Sequence, residues 1–537
     1  MSELVLLGDE AVALGAVHAG LTAAYAYPGT PSTEITEYLI RYREKHGGPI
    51  AQWCANEKTA YEEALGVSFA GRRTLVSMKH VGLNVAADPF MNSALISING
   101  GFVVAVADDP GMHSSQNEQD SRVFADFARV ICLEPASHQQ AYDMAREAFD
   151  VSERFQVPVM IRLVTRLAHS RGIVTVREAR AENPVSRAAT PASWILLPAN
   201  ARRQWRALLD RWPSIQRYTE TCSHNTVTQG AVFADWGVIT TGLARNYYIE
   251  NLDALGANPP HLHVGAYPYP AEAIRRFVSG LQRVLVLEEG YPYVEHALRG
   301  IVPPATAIEG RESGHVPPDG ELNPDIVRTI LGLPARTVLQ VEGLNLPPRP
   351  PQLCAGCPHG DSFHAVTSAL AGFPDAVVTS DIGCYTLGAL PPYNAIQSCV
   401  CMGASVGMAK GAAEAGLHPV VAVIGDSTFL HSGMTPLLDC ITADAPMTLL
   451  ILDNKTVGMT GGQRTIRPSS ELEGLVRGLG VKADHLHVLE AHPKHDAHNT
   501  EVLRRELEHR GLSVIIAVRE CLETIKRGKG EKVAAKA

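Results

Sequence analysis

The cysteines of this 537-residue chain are unevenly placed: seven of the ten lie after residue 350. Cys354 and Cys357 among them have the spacing of metal ligands. Two thiolates so spaced can fill two corners of a zinc tetrahedron or bind two irons of a cluster. The spacing alone leaves zinc, an iron–sulfur cluster and a redox dithiol open. Ten cysteines are too few for a disulfide scaffold, so the group of seven cysteines after residue 350 indicates metal or redox chemistry.

A second group of polar residues follows two apolar runs typical of buried strands. VVAVIG leads into Gly425-Asp426-Ser427, and MTLLILD leads into Asn454, 28 residues after Asp426. Glycine allows a phosphate close to the backbone, and free N–H groups after a strand can bind it. Asp426 and Asn454 offer oxygen ligands suited to Mg²⁺ on a diphosphate. The alternative is a plain strand–turn–helix corner, but the pairing of the two motifs favours a diphosphate site.

These motifs need strands that bring them to one edge of a sheet. Short apolar runs alternate with helical spacing in three parts of the chain, which predicts an α/β fold of three doubly wound, parallel-sheet domains. An Arg- and Ala-rich connector, a Pro-rich linker and a charged flexible tail separate or follow them. The predicted divisions are domains 1–175, 231–335 and 351–525, connector 176–230, linker 336–350 and tail 526–537.

Composition excludes several other classes of protein. Lys+Arg 47 against Asp+Glu 56 gives a net charge of −9, and the absence of a long basic run argues against nucleic acid as a partner. No apolar run approaches the length of about 18 residues that a transmembrane helix needs. The first residues, MSELVLLGDEAVALG, lack the basic region and cleavage site of a secretory signal. We therefore expect a cytoplasmic protein without a membrane partner.

The paired motif resembles the thiamine diphosphate motif, which opens with Gly-Asp-Gly and closes with Asn; here Ser427 replaces the second Gly. Longer motifs resemble the α subunit of indolepyruvate:ferredoxin oxidoreductase, one of the 2-oxoacid:ferredoxin oxidoreductases, to about residue 525. The resemblance implies pyrimidine-binding, transketolase C-terminal-like and diphosphate-binding domains, in that order. The motifs are YPGTPS (27–32), NEK (56–58), MKHVG (78–82), DDPGMHSSQN (108–117), CAGCPH (354–359) and GCY (383–385).

The resemblance assigns Glu57 to cofactor activation, because thiamine chemistry needs a carboxylate at the aminopyrimidine. The alternative is a helix N-terminal carboxylate stabilised by the helix dipole. Thr30 is expected near the thiazolium and the substrate carboxylate, although a turn or cap role is also open. His113 and Arg122, in a polar loop, are candidate substrate contacts.

Lys79 and His80, at a strand end, are either pocket groups or merely strand-terminal polar residues. The other candidate residues belong to the cofactor and to Mg²⁺. Asp426, Asn454 and Thr456 are the candidate Mg²⁺ ligands. The full set of candidate cofactor contacts is Gly29, Glu57, His359, Asp381, Met402, Gly403, Gly425, Asp426, Ser427, Asn454 and Thr456.

The same resemblance implies that four of the cysteines bind one cofactor. In this family a Cys-x-x-Cys pair, a Gly-Cys turn and one late Cys hold a [4Fe–4S] cluster near thiamine, which here selects Cys354, Cys357, Cys384 and Cys521. Cys399, Cys401 and Cys440 compete for these roles, although small buried hydrophobic residues are the preferred interpretation, and Cys54, Cys132 and Cys222 are expected to be structural.

The implied reaction is oxidative decarboxylation of an aryl- or indole-type 2-oxoacid to its acyl-CoA, with electrons leaving through the cluster. The family usually adds two ferredoxin-type Cys-x-x-Cys-x-x-Cys-x-x-x-Cys-Pro runs, and these 537 residues contain none. A separate ferredoxin or electron-transfer subunit and a smaller second subunit are therefore the expected partners, in a dimer of heterodimers. The alternatives are a non-oxidative thiamine-dependent decarboxylase or carboligase, and a non-catalytic subunit that keeps the fold.

Overall fold

The structure, a computed structural model, describes residues 2–188, 190–230, 235–337 and 350–527. It divides into two compact units, Met1–Gln340 and Val341–Ala537. The strands of the first unit are β1 Glu3–Leu7, β2 Ala23–Ala26, β3 Ile50–Trp53, β4 Thr74–Lys79, β5 Phe102–Asp108, β6 Ile131–Leu133, β7 Val159–Val164, β8 Arg171–Thr175, β9 Thr226–Thr228, β10 Trp236–Thr241, β11 His261–Val264, β12 Ala266–Tyr267, β13 Arg283–Leu287 and β14 Ala307–Glu309.

The helices of this unit connect the strands. They are α1 Gly8–His18, α2 Thr33–His46, α3 Glu57–Phe69, α4 His80–Val85, α5 Ala87–Ser93, α6 Ser121–Ala128, α7 His138–Phe155, α8 Thr165–His169, α9 Pro198–Thr221, α10 Ala244–Leu255, α11 Ala271–Val278, α12 Tyr293–Leu298 and α13 Pro324–Ile330. α3 begins where Asn56 accepts a 2.8 Å hydrogen bond from the Thr59 amide, and α2 ends at Gly47, whose φ of 81° suits glycine.

The first unit contains two main sheets. The larger has seven strands in the order β12-β6-β7-β5-β4-β2-β3, parallel except for β12. The smaller has five strands in the order β14-β13-β10-β11-β9, parallel except for β9. β1 and β8 form a separate antiparallel pair. One hydrophobic core runs through both sheets of this unit.

The second unit has one main sheet of six strands, all parallel, in the order β16-β15-β17-β18-β22-β21. Its strands are β15 Val377–Ser380, β16 Ser398–Cys399, β17 Val420–Gly425, β18 Thr448–Asp453, β19 Thr456–Val457, β20 Gln463–Arg464, β21 Leu486–Glu490 and β22 Ser513–Val518. Its helices are α14 Pro358–Leu370, α15 Ala404–Glu414, α16 Asp426–Thr428, α17 Met434–Ala443, α18 Ser469–Leu479 and α19 Asp496–Glu508.

Helices cover both faces of this sheet. Along β17, Val420 and Ile424 pack into one hydrophobic cluster, whereas Val421 and Val423 pack into another. Since successive side chains of a strand point to opposite faces, two clusters on one strand require cover on both sides. This is the doubly covered parallel sheet that the uninterrupted apolar runs predict.

The predicted α/β class is thus confirmed, and each main sheet comes mostly from one predicted block, with β12 of the second block in the first sheet and β9 of the connector in the second. The exact domain boundaries stay a prediction. Most of the predicted linker 336–350 and most of the tail 526–537 lie outside the described residues. Across the described ranges, every helix is too short or too polar to span a bilayer.

Candidate active site

In the first unit, the candidate residues follow neighbouring parallel strands. Gly29 and Thr30 come after β2, Glu57 after β3 and Lys79 at the end of β4, and these strands lie side by side in the order β4-β2-β3. Carboxyl ends of parallel strands meet at one edge of a sheet, where open α/β sheets bind ligands. The structure therefore brings these four residues to the same end of the sheet, and their roles stay a prediction.

Glu57 is the first residue of α3 and is buried, with 5% of its surface exposed. Its carboxylate packs against α4, because a Cβ added to Gly82 would lie 2.6 Å from Glu57 Oε1. Only glycine leaves room for the carboxylate at this point. A buried carboxylate held between two helices has the surroundings that the activating role requires, and the role itself stays a prediction.

The Thr30 turn is tied to the end of β4 through Ser114. Lys79 Nζ donates a 2.7 Å hydrogen bond to the Ser114 carbonyl, and the Ser114 hydroxyl donates a 3.4 Å bond to the Thr30 carbonyl. A Cβ on Gly29 would lie 3.2 Å from Lys79 Cβ, so the two segments are in close contact. Burial lowers the pKa of Lys79 to about 8, opposed by the charge of Asp109. Lys79 therefore lies among the candidate residues, which favours the pocket interpretation of this lysine.

Asp109, which sequence reasoning did not single out, orders the polar loop. Its carboxylate accepts hydrogen bonds from the Ser114 amide (2.8 Å), the Ser115 hydroxyl (2.5 Å) and the Thr165 hydroxyl (2.6 Å). The DDP sequence at 108–110 was the available signal. His113 lies on this loop with about half of its side chain exposed, and its Nε2 is 3.5 Å from Glu321 Oε2. Its role in substrate binding stays a prediction.

Arg122 does not fit the role of a substrate contact. Its side chain is fully buried, with Nη2 2.5 Å from Asp120 and Nη1 3.1 Å from Glu288. It also donates a 3.0 Å hydrogen bond to the Glu289 carbonyl and a 3.2 Å bond to the Tyr267 hydroxyl. With its donors occupied by internal groups, Arg122 is a structural cation, and the prediction made from the polar loop was wrong.

In the second unit, three candidate side chains follow three adjacent parallel strands. Asp381 comes after β15, Asp426 after β17 and Asn454 after β18. The backbone N–H of Lys455 donates a 2.9 Å hydrogen bond to Asp426 Oδ2, which joins the two strand ends directly. The sequence prediction that the two halves of the paired motif meet is confirmed.

The chemistry of these groups suits a cation. Asp426 and Asp453 are both buried, and burial together with the negative charge of Asp453 raises the pKa of Asp426 well above its ordinary value. The Ser427 hydroxyl is buried without a hydrogen-bond partner. Two buried carboxyl groups that repel each other are costly without a cation, and a buried hydroxyl is normally hydrogen-bonded. The two carboxyl groups therefore fit the positive charge of Mg²⁺, and the Ser427 hydroxyl is free to donate to a phosphate oxygen.

Asn454 has a fixed side-chain orientation. Its Nδ2 donates a 3.1 Å hydrogen bond to His359 Nε2, and its Oδ1 accepts a 3.2 Å bond from the Thr456 amide. Burial lowers the pKa of His359 to about 4, so that the ring is neutral and can accept this bond. The Thr456 hydroxyl donates to the Gln463 carbonyl at 3.0 Å. The candidate ligands Asn454 and Thr456 are thus adjacent.

Gly425 has a role that the sequence did not reveal. A Cβ at this position would lie 2.6 Å from the Tyr385 ring, so Gly425 makes room for Tyr385. The Tyr385 hydroxyl donates to Asp381, and burial raises the pKa of Asp381 to about 6 against the hydrogen bonds from Ser405 and Tyr385. The GCY motif at 383–385 was the signal for this tyrosine. The backbone at Gly425 therefore lies beneath an aromatic ring.

Gly403 precedes α15 with φ 84°, in the left-handed region, and a Cβ there would lie 2.9 Å from the Ser432 carbonyl oxygen. A side chain at this position would meet both backbone strain and a clash. Met402, the residue before it, is half-buried. Their contacts with a cofactor stay a prediction.

Two of the four candidate cluster cysteines lie close to the carboxyl ends of these strands. Cys384 follows β15, and the Cys521 amide donates a 3.0 Å hydrogen bond to the Asn454 carbonyl. A Cβ on Gly458 would lie 3.3 Å from Cys384 Sγ and 3.7 Å from Asn454 Nδ2. Burial, followed by the charges of Cys357, Cys521 and Cys354, raises the pKa of Cys384 to about 12. The binding of one cluster by the four thiols stays a prediction.

Two of the remaining cysteines contradict the packing interpretation. Cys399 and Cys401 are exposed, so they are not the small buried hydrophobic residues that were expected. Exposure depends on the elements that surround a residue. The strand β16, which ends at Cys399, is an edge strand of its sheet and pairs only with β15. The interpretation is confirmed for buried Cys440, Cys54 and Cys132, while Cys222 is half-buried.

Comparison with known proteins agrees with this geometry. Residues 14–201 match the family described as "Pyruvate flavodoxin/ferredoxin oxidoreductase, thiamine diP-bdg", and residues 381–517 match "Thiamine pyrophosphate enzyme, C-terminal TPP binding domain". The chain is 40% identical to indolepyruvate oxidoreductase subunit IorA of Archaeoglobus fulgidus, over 97% of this chain and 86% of that protein. It is 38% identical to the IorA subunit of Methanothermobacter marburgensis, over 99% and 89%.

A solved structure shares part of the fold. The 2-oxoglutarate:ferredoxin oxidoreductase of Magnetococcus marinus is 18% identical, with a TM-score of 0.50 over 61% of this chain and 65% of that one. The fold, the candidate sites at the carboxyl ends of the strands and the matched domains define a thiamine diphosphate-dependent oxidoreductase that acts on 2-oxoacids. Within that class, the chain belongs to the family of indolepyruvate oxidoreductase subunit IorA.

Proposed function

We propose that this chain is the catalytic α subunit of an aryl- or indolepyruvate:ferredoxin oxidoreductase. It converts the 2-oxoacid and CoA into acyl-CoA and CO₂, and the two electrons released leave one at a time to ferredoxin or a partner redox subunit. The preference for an aryl or indole side chain rests on the names of its relatives, which are indolepyruvate oxidoreductase subunits.

Thiamine diphosphate, when bound, supplies the carbon nucleophile and the electron sink for loss of CO₂. Mg²⁺ would be held by Asp426, Asn454 and Thr456, and the buried Ser427 hydroxyl would contact the diphosphate. His359 orients the Asn454 amide, so that its oxygen is turned away from His359 and toward the Thr456 amide. Glu57 would hold the proton at the aminopyrimidine, in a buried position that excludes water.

A [4Fe–4S] cluster would be held by Cys354, Cys357, Cys384 and Cys521. The observation that carries the oxidative assignment is the contact between the Cys521 amide and the Asn454 carbonyl, because it joins a candidate cluster ligand to a candidate Mg²⁺ ligand. An ion pair between Arg519 and Asp361 further ties the Cys521 segment to α14, the helix that begins next to Cys357. Electrons released at the diphosphate site would have a short path to the cluster.

The test is anaerobic co-expression with the smaller partner subunit, followed by iron and sulfide analysis. The preparation is then assayed with a panel of 2-oxoacids, with and without CoA, using an artificial one-electron acceptor. We expect about four irons for each α subunit and acceptor reduction that requires CoA. Iron-free protein that releases aldehyde would establish a non-oxidative decarboxylase instead. Protein that turns over no 2-oxoacid would indicate a non-catalytic subunit.

A further inference from the structure

A second group of metal-ligating side chains lies in the first unit, apart from the residues assigned to the reaction. Asp9, Glu34 and His169 each offer one ligand atom, and these three atoms lie within 4.8 Å of one another. His169 Nε2 is 3.3 Å from Glu34 Oε2. The three residues are far apart in sequence, so the fold is what brings them together.

Three helix ends build this cluster. Asp9 is the second residue of α1, Glu34 is the second residue of α2 and His169 is the last residue of α8. The start of α1 packs directly on α8, because a Cβ on Gly8 would lie 2.2 Å from the Leu167 carbonyl oxygen. Glycine at position 8 is therefore required for this close approach, which sets Asp9 beside His169.

Asp9 is the member that the fold leaves unsatisfied. It is 0% exposed, and neither carboxylate oxygen has a hydrogen-bond partner among the described residues. Burial and the negative charges of Glu34 and Glu10 raise its pKa well above the ordinary value, against a smaller opposing effect of the Ile35 backbone amide. Buried carboxyl groups are normally hydrogen-bonded or paired, so an unpartnered one directed at two further ligands points to a missing cation.

The nearby cations do not supply this charge. Arg41 is paired with Glu10 at 3.3 Å and with Glu37 at 3.7 Å. Arg166, on the same helix as His169, is paired with Glu321. His169 pairs with Glu34, and among the described residues Asp9 forms no ion pair, so the buried Asp9 carboxyl has no cation of its own.

We propose that Asp9, Glu34 and His169 bind a divalent transition-metal ion of the zinc class, with solvent completing the coordination. One imidazole and two carboxylates form a donor set typical of such ions, whereas Mg²⁺ and Ca²⁺ prefer oxygen ligands alone. The side chains of Glu34 and His169 are 32% and 35% exposed, which gives the ion a route from solvent. The bound ion would hold three helix ends together, including the end of α2 that follows the Thr30 turn.

The test is equilibrium dialysis of the anaerobically purified complex against Zn²⁺ in saturating Mg²⁺, with metal content measured by mass spectrometry. Wild type is compared with Glu34→Gln and His169→Gln. Glu37→Gln is the matched control, because it removes the same charge from the same helix without touching the three ligands. We expect wild type and Glu37→Gln to bind one Zn²⁺ more per chain than either ligand variant.

A thermal scan gives a second readout that does not depend on activity. Zn²⁺ should raise the Tm of wild type and of Glu37→Gln, because a ligand that binds the folded state alone stabilises it, and should leave both ligand variants unchanged. Equal Zn²⁺ content and equal Tm shifts in all four proteins would overturn the proposal. Asp9 would then be a protonated carboxyl beside a His169–Glu34 ion pair.

Discussion

The backbone amide of Cys521 donates a 3.0 Å hydrogen bond to the carbonyl of Asn454. Asn454 is the closing residue of the diphosphate motif, and Cys521 is the last of the four cysteines proposed to bind the cluster. The strands that precede them, β18 and β22, are adjacent and parallel, with Asp453 opposite Val518. The register of two strands therefore sets the spacing between the two proposed cofactors, and each of the sites can be tested through its own residues.

Cys384→Ser should remove the iron–sulfur signal and leave the protein folded, since a serine hydroxyl is a poor cluster ligand. We expect loss of most iron and sulfide and loss of acceptor reduction, measured by metal analysis and electron paramagnetic resonance. Cys401→Ser is the control, because Cys401 is an exposed cysteine of the same unit. Equal iron content in the two variants would contradict the assignment of Cys384.

Glu57→Gln should lower turnover at least about 100-fold, the usual contribution of a positioned acid–base group. The amide is isosteric, so the melting temperature and cofactor content should stay close to wild type. Glu62→Gln, an exposed position on the same helix, should keep full activity. Steady-state kinetics of the intact complex provide the measurement, and undiminished kcat in Glu57→Gln would exclude the activating role.

Asp426→Asn should weaken Mg²⁺-dependent binding of thiamine diphosphate by at least about tenfold, because it removes an anionic ligand. Isothermal titration of the cofactor into Mg²⁺-saturated protein measures the effect. Asp439→Asn removes a carboxylate from an exposed position of α17 and should bind as wild type does. Unchanged affinity in Asp426→Asn would place the metal elsewhere.

Arg122→Met should destabilise the protein by about 3–5 kcal/mol, because Glu288 would stay buried without its cation and Asp120 would keep only Arg162, at 3.5 Å. Arg122→Lys, which keeps the charge but not the geometry of the guanidinium, should recover part of this loss. Urea unfolding of the three proteins measures it. A stable Arg122→Met protein with only a raised KM for the 2-oxoacid would restore Arg122 as a substrate contact.

Acid should destabilise the first unit through two histidines of β11. Burial lowers the pKa of His261 to about 4 and that of His263 to about 3. The unfolded chain therefore binds more protons between about pH 6.5 and pH 4, and stability falls as the pH is lowered through that range. The contribution of His261 alone is on the order of 3 kcal/mol.

Replacing His261 by Asn should flatten this pH dependence of the free energy of unfolding. His46→Gln, at an exposed position of α2, should leave the slope as it is in wild type. Urea unfolding at pH 7 and pH 5 measures the difference. Parallel slopes in wild type and His261→Asn would contradict the buried, neutral state of this ring.

Local sequence patterns were enough to locate the carboxyl ends of the strands that carry the diphosphate motif. The apolar runs before Asp426 and Asn454 predicted two buried parallel strands, and parallel strands must bring their carboxyl ends together. Gly29 and Glu57 were assigned by the resemblance, and the structure places both at the carboxyl ends of adjacent strands of the first sheet. The strand predictions held because each depends on residues within one short segment and on a general rule of α/β folds.

Predictions failed where a residue's partners are distant in the chain. Arg122 lies in a polar stretch, but its partner Glu288 is supplied by a different sheet. The surroundings of Cys399 depend on which strand neighbours β16, and a window of sequence does not contain that information. The contact of Tyr385 with Gly425 likewise joins segments forty residues apart. Burial and pairing of this kind come from tertiary packing alone.

The short strand β12 determines which truncated fragments of the first unit are expected to stay soluble when expressed. Its two residues, Ala266 and Tyr267, pair antiparallel with Leu133 and Cys132 of β6. A fragment that stops after β8 would leave the hydrogen-bonding groups of β6 exposed, and a bare strand of this kind recruits other chains. Such a fragment is expected to self-associate and precipitate, whereas one that continues through β14 should remain monodisperse.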